Sequence, residues 1–217
     1  PHDIFSSIGY SSYHNGQKTY NGVAIISNIK LINVSLDLPQ LTDPQKRIIT
    51  GQYQSENFGL VQIVSAYVPN GQSLDSEKFQ YKILWLKSFI KWIKDLLANN
   101  KHVILTGDFN IAPNDEDCHD PEQWIGKNLV SPIEREYFNK IIDNGFNDSF
   151  RFLNPNDQKF SWWDYRMAGY KRNLGMRIDH ILTSKSLKNQ LFKSYIDESP
   201  RKLERPSDHT PVITQLK

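Results

Sequence analysis

The sequence predicts a mixed α/β fold in which two β-sheets pack face to face and helices cover the outside. Two observations predict this class: β-rich segments dominate the first third of the chain, and helical and strand patterns alternate after it. A sheet with one apolar face must bury that face against another layer. The 217 residues, 38% of them hydrophobic, are expected to form one domain, residues 1–217, with a substantial core.

Five segments are predicted to be strands. Residues 20–27, 47–53 and 60–67 are rich in β-branched and aromatic side chains, which favour pleated structure. Asn15-Gly16 and residues 57–59 (Asn-Phe-Gly) lie between such segments and predict turns. The apolar run 103–106 predicts a fully buried strand, and residues 176–183 predict another.

Two helices are predicted from periodicity and from end signals. Residues 73–98 carry apolar side chains every three or four positions, and Asn99-Asn100 is expected to end this helix. A second helix is expected to begin after Ser131, with Pro132 in its first turn, and to run to Asp143. Asn144-Gly145 would stop it.

Composition limits the function classes only in part. The net charge is +2, and the single cysteine, Cys118, excludes an internal disulfide and a zinc cluster. One free cysteine fits a reducing compartment such as the cytoplasm, and no run is apolar enough to cross a membrane. The C-terminal third is basic. Scattered basic residues are by default a solvated surface, but the aromatics between these charges weaken that interpretation in favour of a nucleic-acid partner. These basic residues are Arg166, Lys171, Arg172, Arg177, Lys185, Lys188, Lys193, Arg201, Lys202 and Arg205.

Three short segments carry candidate chemistry. Asp108 and Asn110 follow the buried strand 103–106, two positions apart, so they project on the same side of an extended backbone. Asp179 lies in an otherwise apolar strand, and Asp208 and His209 stand together just before another apolar run. Buried acids are costly unless they bind a metal or pair with a cation. The three placements predict one shared, metal-assisted hydrolytic site.

Each of these signals has an ordinary structural explanation when taken alone. Asp-Phe-Asn at a strand end is often only a turn, and a lone histidine is most often a satisfied surface residue. His102, His119 and His180 are assigned to that surface class. The joint occurrence of the three segments is what favours a catalytic site, because packing does not require it.

Longer motifs around these segments resemble the exodeoxyribonuclease III family of apurinic/apyrimidinic (AP) endonucleases. The matching stretches are residues 107–113 (GDFNIAP), 160–166 (FSWWDYR), 175–179 (GMRID), 206–212 (PSDHTPV), 67–71 (YVPNG) and 20–24 (YNGVA). The resemblance runs along the whole chain. It implies the endonuclease/exonuclease/phosphatase fold, a four-layered α/β sandwich like DNase I with two mixed sheets flanked by helices.

The sequence departs from the family at its front. A strand with a Trp-Asn-Val-Asn-type motif and another with a Gln-Glu-Thr-Lys-type motif, whose glutamate is a principal metal ligand, do not occur here. The expectation is that the chain is N-terminally truncated and lacks its first strands. A separate polypeptide that supplies them, and a degenerate family member, are the alternatives.

The resemblance implies catalytic roles for five residues. Asp108 would orient or deprotonate the attacking water, and Asn110 would help to hold the water and the phosphate. Asp179 would fix the ring of His209, which contacts the scissile phosphate, as does Tyr67.

Metal and DNA contacts are implied in the same way. Asp108, Asn110 and Asp208 would lie at a metal, which hard oxygen ligands predict to be Mg²⁺, with Mn²⁺ as the other candidate. Trp162, Met176 and Ile178 would line a pocket for a flipped abasic sugar. The predicted DNA-binding residues are Tyr20, Asn70, Trp162, Met176, Arg177 and Ile178.

The function predicted is that of a DNA repair phosphodiesterase. It would cut the backbone 5′ to abasic sites, leave a 3′-hydroxyl, and trim 3′ ends as an exonuclease or 3′-phosphatase. Double-stranded DNA with abasic sites or blocked 3′ ends would be its partner, and the protein would act as a monomer without a membrane. The alternatives are a phosphodiesterase or phosphatase of the same fold acting on a small molecule or lipid, and a catalytically inactive DNA-binding fragment, which the missing glutamate would permit.

Overall fold

The structure is a computed structural model that describes residues 2–217. Its α-helices are α1 His2–Ser7, α2 Glu77–Asn99, α3 Pro121–Trp124, α4 Pro132–Asp143 and α5 Ser149–Leu153. Its strands are β1 Ser11–Gly16, β2 Gly22–Ser27, β3 Ile32–Ser35, β4 Ile48–Ser55, β5 Gly59–Tyr67, β6 His102–Asp108, β7 Phe146–Asp148, β8 Trp162–Trp163, β9 Gly175–Met176, β10 Asp179–Ser184, β11 Leu191–Ile196 and β12 Val212–Leu216.

A mixed six-stranded sheet forms the centre of the fold. Its strand order is β3-β4-β5-β6-β10-β7, and only β5 and β6 run parallel to each other among these neighbours. Helix α2 makes the crossover that a parallel pair requires. The carboxyl ends of β5 and β6 therefore lie at the same edge, where the antiparallel strand β10 begins.

Helix α2 buries a wide apolar face against this sheet. Trp85 and Phe89 stack with their ring centroids 4.9 Å apart, and Phe89 meets Phe109 edge-on beyond the end of β6. The predicted helix is confirmed, but it begins later than residue 73. Ser76 is the cap, because its hydroxyl accepts a hydrogen bond from the amide of Phe79 at 3.1 Å.

Helix α4 has the bounds that its end signals predicted. Ser131 and Glu134 form a capping box, Pro132 is the first helical residue, and Asn144 is the C-cap. Gly145 follows with a φ of +123°, a conformation that suits glycine.

Three two-stranded ladders, β1–β2, β8–β9 and β11–β12, accompany the central sheet within residues 2–217. Strand β2 contacts β4 and β5, and β12 contacts β10. The mixed α/β class is confirmed. The layer predicted as a second sheet consists, in this part of the chain, of separate ladders.

Two local predictions were wrong. Asn15 and Gly16 belong to strand β1, because the buried Asn15 amide donates to the carbonyls of Leu36 and Ile48; the turn falls at residues 17–21. The strand predicted over residues 176–183 is broken at residues 177–178. There the amide of Arg177 donates to the carbonyl of Asp117 at 2.9 Å, away from the ladder.

No helix within residues 2–217 has the length and apolar character needed to span a lipid bilayer.

Candidate active site

Asp108, Asp179 and His209 converge at one edge of the central sheet. Asp108 ends β6 and lies directly opposite Asp179, the first residue of β10. His209 precedes β12, and its Nδ1 lies 2.9 Å from Asp179 Oδ2. One ligand atom from each of the three residues lies within 4.8 Å of the others. The fold therefore joins the three sequence segments at a single place.

The Asp179–His209 pair is held from behind by Ser161. The Ser161 hydroxyl donates to Asp179 Oδ2 at 2.7 Å and accepts the backbone amides of Ile178 and Asp179, both at 3.1 Å. Burial lowers the pKa of His209, but the hydrogen bond and the charge of Asp179 outweigh it and raise the pKa to about 9. His209 is therefore a cation at neutral pH and can attract an anionic phosphate.

Asp108 lies in an environment that disfavours its charge. Burial and then the neighbouring carboxylate of Asp179 raise its pKa to about 7. The backbone amide of Asn110 donates to Asp108 Oδ1 at 2.8 Å, and the side-chain amide of Asn110 donates to Oδ2 at 3.0 Å. A carboxylate with a pKa near 7 can accept a proton from water near neutral pH.

Asn110 and Asn70 form a chain of amides beside Asp108. Asn110 has a φ of +50° and also donates to the carbonyl of Val68 at 3.0 Å. Asn70 donates to Asn110 Oδ1 at 2.8 Å and accepts from Asn128 at 3.0 Å. These bonds fix which way each amide points.

Tyr67 ends β5 and is paired with Asp108 across the parallel ladder. The guanidinium of Arg47 lies 4.8 Å from the centre of its ring and donates to its backbone carbonyl at 3.1 Å. Burial, followed by the charge of Asp108, raises the pKa of the Tyr67 hydroxyl. The hydroxyl therefore stays protonated and can donate a hydrogen bond.

Asp208 is tied to the strand that carries Trp162. Its Oδ2 accepts from the indole of Trp162 at 3.1 Å, and its backbone carbonyl accepts from Trp163 at 3.0 Å. Trp162 also forms an isolated bridge with His209. Asp208 thus borders the site, but it is outside the close group of Asp108, Asp179 and His209.

The oxygen atoms of the site can be compared with the ligands that the predicted Mg²⁺ requires. Two facing carboxylates offer the hard oxygen ligands that Mg²⁺ prefers. Asn110 Oδ1 accepts one hydrogen bond from Asn70, and the amide nitrogen of Asn110, which cannot bind a cation, faces Asp108. The residues present fit a divalent cation at Asp108 and Asp179, with Asp208 close by.

Three of the predicted DNA-contacting side chains are buried. Met176 and Ile178 are 0% and 2% exposed and form an apolar cluster against which Trp162 packs, so they support Trp162 and do not line an open slot. Arg177 is also fully buried: its Nε lies 2.7 Å from Asp117 and its Nη1 lies 2.8 Å from Asp148. The prediction that Arg177 contacts DNA was wrong, because two carboxylates hold its guanidinium inside the protein.

The remaining predicted DNA contacts are accessible. Tyr20 is 85% exposed in the loop between β1 and β2, Asn70 is exposed, and Trp162 is half-buried. Trp162 borders a cavity of about 490 Å³ whose wall includes Trp124, Arg166 and Arg172. This cavity combines aromatic faces with cations.

The assignment of two histidines to the surface was wrong. His180 is buried and hydrogen-bonds the carbonyl of Ile111 at 2.9 Å, and burial lowers its pKa. His102 is 7% exposed and lies 3.0 Å from the hydroxyl of Ser186. His119 is intermediate in exposure.

Sequence reasoning missed Ser161, Arg47 and Lys82, all of which touch predicted site residues. Lys82 carried a detectable signal, because it lies between Phe79 and Ile83 on the apolar face of a strongly periodic helix. Ser161 lies in the matching stretch 160–166, but its contact with Asp179, like that of Arg47 with Tyr67, joins segments far apart in the chain.

Comparison with known proteins shows the family of this chain. Residues 2–209 match the Endonuclease/Exonuclease/phosphatase family. The chain is 35% identical to exodeoxyribonuclease III of Haemophilus influenzae, over all of this chain and 84% of that protein.

Solved structures are similar over the whole chain as well. A 3′ phosphatase, NExo from Neisseria, bound to product DNA hairpin, superposes with a TM-score of 0.96 at 40% identity, covering 100% of this chain and 83% of that one. An AP endonuclease from Archaeoglobus fulgidus gives a TM-score of 0.93 at 32% identity, with 100% and 82% covered. The chain therefore belongs to the endonuclease/exonuclease/phosphatase family, within its exodeoxyribonuclease III group of AP endonucleases.

Proposed function

We propose that this protein is a metal-dependent nuclease that hydrolyses the DNA backbone 5′ to abasic sites and leaves a 3′-hydroxyl. The observation that carries the proposal is the convergence of Asp108, Asp179 and His209 within 4.8 Å. The names of the relatives, an exodeoxyribonuclease III and an AP endonuclease, support DNA as the substrate and abasic sites as the target.

The residues divide the work of hydrolysis between them. Asp108, with its pKa near 7, would orient the attacking water and accept its proton. Asn110, bonded to both oxygens of Asp108, would hold the water against the phosphate. The protonated His209 and the Tyr67 hydroxyl would donate to the phosphate oxygens, and Asp179 would keep the His209 ring in place.

A divalent cation would be held by Asp108 with Asp179 or Asp208, and we propose Mg²⁺, with Mn²⁺ as the other candidate. When bound, it would neutralise charge on the nonbridging oxygens and on the leaving alkoxide.

DNA would approach across the exposed side chains around Trp162. Tyr20 and Asn70 would contact the backbone, and the cavity beside Trp162 would receive a sugar that lacks its base. Extrusion of an abasic nucleotide is the least costly case of base flipping, because no base pair is lost. The buried Met176 and Ile178 would fix the position of Trp162 from behind.

A second activity, removal of blocked 3′ ends as a 3′-phosphatase or 3′–5′ exonuclease, is favoured by one specific observation. The relative with a TM-score of 0.96 is described as a 3′ phosphatase bound to a product DNA hairpin. The same hydrolytic residues would serve both reactions, since each breaks a phosphate ester bond.

Three further points belong to this proposal. Residues 1–217 would act as one domain and as a monomer on double-stranded DNA. A cytoplasmic location is supported by the single cysteine, Cys118, which is free and buried.

The test is cleavage of matched duplexes by the purified protein in Mg²⁺, in Mn²⁺ and in EDTA. The duplexes carry an abasic-site analogue, a nick with a 3′-phosphate, or intact sequence, and bis(p-nitrophenyl) phosphate and sphingomyelin vesicles represent the alternative substrates. We expect metal-dependent nicking at the abasic site. Hydrolysis of the small ester or the lipid alone would overturn the DNA assignment, and binding without cleavage under all conditions would indicate a DNA-binding module.

A further inference from the structure

We propose that Lys82 is a positioning residue of the site described above: its buried ammonium group fixes the backbone of Asn70 and Asn110 and thereby the two amides beside Asp108. This inference rests on the proposed nuclease function. It gives a residue on the buried face of helix α2 a role in the reaction that takes place at the edge of the sheet.

The contacts of Lys82 account for all three hydrogens of its ammonium group. Nζ donates to the carbonyl of Asn110 at 2.7 Å and to the carbonyl of Asn70 at 3.2 Å, and it forms an ion pair with Glu134. Neither charged side chain has any solvent-exposed surface. An ammonium removed from water is costly, so it must be compensated fully by partners, and here it is.

Glu134 is in turn anchored at the start of α4. One of its carboxylate oxygens accepts the amide of Leu129 at 3.1 Å, and the other accepts the amide of Ser131 at 3.1 Å and its hydroxyl at 2.6 Å. The ammonium is thus held between the capping box of one helix and two backbone carbonyls. These partners fix its position, whereas the ammonium group of a surface lysine moves freely in solvent.

The two carbonyls belong to the segments that leave the carboxyl ends of β5 and β6. Asn110 has a φ of +50°, a left-handed conformation that costs energy in any residue with a side chain. The Lys82 bond to its carbonyl stabilises that conformation. The conformation in turn allows both the main-chain and the side-chain amide of Asn110 to donate to Asp108.

A packing role alone does not account for this arrangement. An apolar side chain of similar length would fill the same volume without the cost of burying two charges, and such replacements are often neutral or stabilising. A buried ion pair that also holds two site-forming backbone segments is better explained by the need for a fixed geometry than by stability. Catalysis is sensitive to displacements of about 1 Å, so a fixed backbone in these two segments matters for turnover.

The test compares three proteins: the wild type, a double variant and the variant Lys140→Met. The double variant combines Lys82→Met and Glu134→Gln, so it removes both charges together. Lys140 is an exposed lysine of α4 paired with Glu136, so it is the matched control. The single variant Glu134→Gln, which keeps the ammonium group but weakens its anchor, is the second reporter. Fold is checked first by circular dichroism and thermal melting.

The expected result separates turnover from binding. For the folded double variant, kcat on the abasic duplex should fall about tenfold to a hundredfold, with KM and DNA affinity changed by less than about threefold. The kcat of the single variant Glu134→Gln should lie between that of the double variant and that of the wild type. The assigned side-chain amide signals of Asn70 and Asn110 in ¹⁵N spectra, which need no activity, should shift or broaden, whereas those of Lys140→Met should not.

The other outcomes overturn either the inference or the nuclease function on which it rests. A folded double variant with wild-type kcat, or with unmoved amide signals, would show that Lys82 does not position the site. Failure of both variants to fold would show that the pair serves stability. Absence of wild-type cleavage on every DNA substrate would instead reject the proposed nuclease function, and the amide signals would still report on Lys82.

Discussion

Asp108 and Asp179 are directly paired residues of adjacent antiparallel strands, so two carboxyl groups face each other at the edge of the sheet. Like charges placed opposite each other are destabilising, and a folded protein needs compensation for them. Part of it comes from the His209 cation, which bonds Asp179, and part from Asn110, which donates to Asp108. Burial, together with the remaining repulsion, keeps the pKa of Asp108 near 7. A bound divalent cation would relieve the same repulsion.

The first prediction concerns Asp108 as the base. Asp108→Asn removes the charge and the proton acceptor but keeps the shape, so single-turnover cleavage of an abasic duplex should fall about a hundredfold or more. DNA affinity should stay close to that of the wild type. Asp115→Asn, at an exposed acid paired with Arg135, is the control and should cleave normally. Near-normal cleavage by the Asp108 variant would exclude this role.

Local signals predicted some elements well because their causes lie close together in the chain. Helix α4 could be bounded from Ser131-Pro132 and Asn144-Gly145, since caps act within a few residues. The direct pairing of Asp108 with Asp179 could not be foreseen, because register is set by packing across the whole sheet. The general position of the site was predictable, since polar residues that end neighbouring strands meet at one edge.

The predictions that failed concern residues whose partners lie far away in the chain. Arg177 was predicted to contact DNA from local charge, but its partners Asp117 and Asp148 lie in distant loops and strands that the sequence does not bring together visibly. The buried His180 was missed for the same reason, since its partner is the carbonyl of Ile111. Lys82 shows that a charged residue on an apolar helix face can indicate a buried ion pair, although its partners can be identified only from the structure.

The second prediction concerns the pH dependence of the Asp179–His209 pair in metal-free protein. The folded-state pKa of His209 is raised from 6.5 to about 9, so the pair contributes stability fully below pH 6.5 and loses it as pH rises through 9. In Asp179→Asn, an amide oxygen can still accept the hydrogen bond from His209, but the charge that raises the pKa is gone, and the pKa should fall by at least about one unit.

An NMR titration of the His209 ring in EDTA measures both pKa values, and thermal melting from pH 6 to pH 10 follows the stability. The melting curves of wild type and variant should converge as pH rises. A wild-type pKa at or below 6.5 would contradict the prediction, as would an unchanged pKa in the variant.

The third prediction concerns the buried charges around Arg177. Asp117 is fully buried and accepts from Arg177 at 2.7 Å and from Arg151 at 2.6 Å. Burial opposes its ionisation, but the two arginines outweigh that and lower its pKa. Asp117→Asn would leave the buried Arg177 with Asp148 as its one remaining carboxylate partner and would remove the partner of Arg151, at a cost of about 3 kcal/mol in the free energy of unfolding.

Urea unfolding at pH 7 measures this cost, and Asp115→Asn is again the surface control. Because the folded pKa is depressed, the contribution of Asp117 is present above pH 3.8 and disappears as pH falls through the folded value. The gap between variant and wild type should therefore narrow in acid. A loss below about 1 kcal/mol at pH 7 would show that Arg177 finds other compensation.

The last prediction concerns Trp162 and the choice of substrate. Its ring borders the cavity proposed for the abasic sugar, while its indole nitrogen donates to Asp208 at 3.1 Å. Trp162→Ala should open the cavity and free Asp208, so abasic cleavage should fall steeply, by about a hundredfold. Affinity for the DNA backbone should change little, because phosphates are held by polar and cationic groups elsewhere.

The deciding quantity is the ratio of cleavage at an abasic site to cleavage at an intact nucleotide, measured on a variant shown to be folded by circular dichroism and melting. Phe192→Ala, at an exposed aromatic on β11, controls for the loss of a large surface side chain. Trp162→Ala should lower the ratio, because an enlarged cavity no longer excludes a base by its size. If the folded variant keeps the wild-type ratio, Trp162 does not set the size limit, and selectivity must come from other parts of the cavity wall.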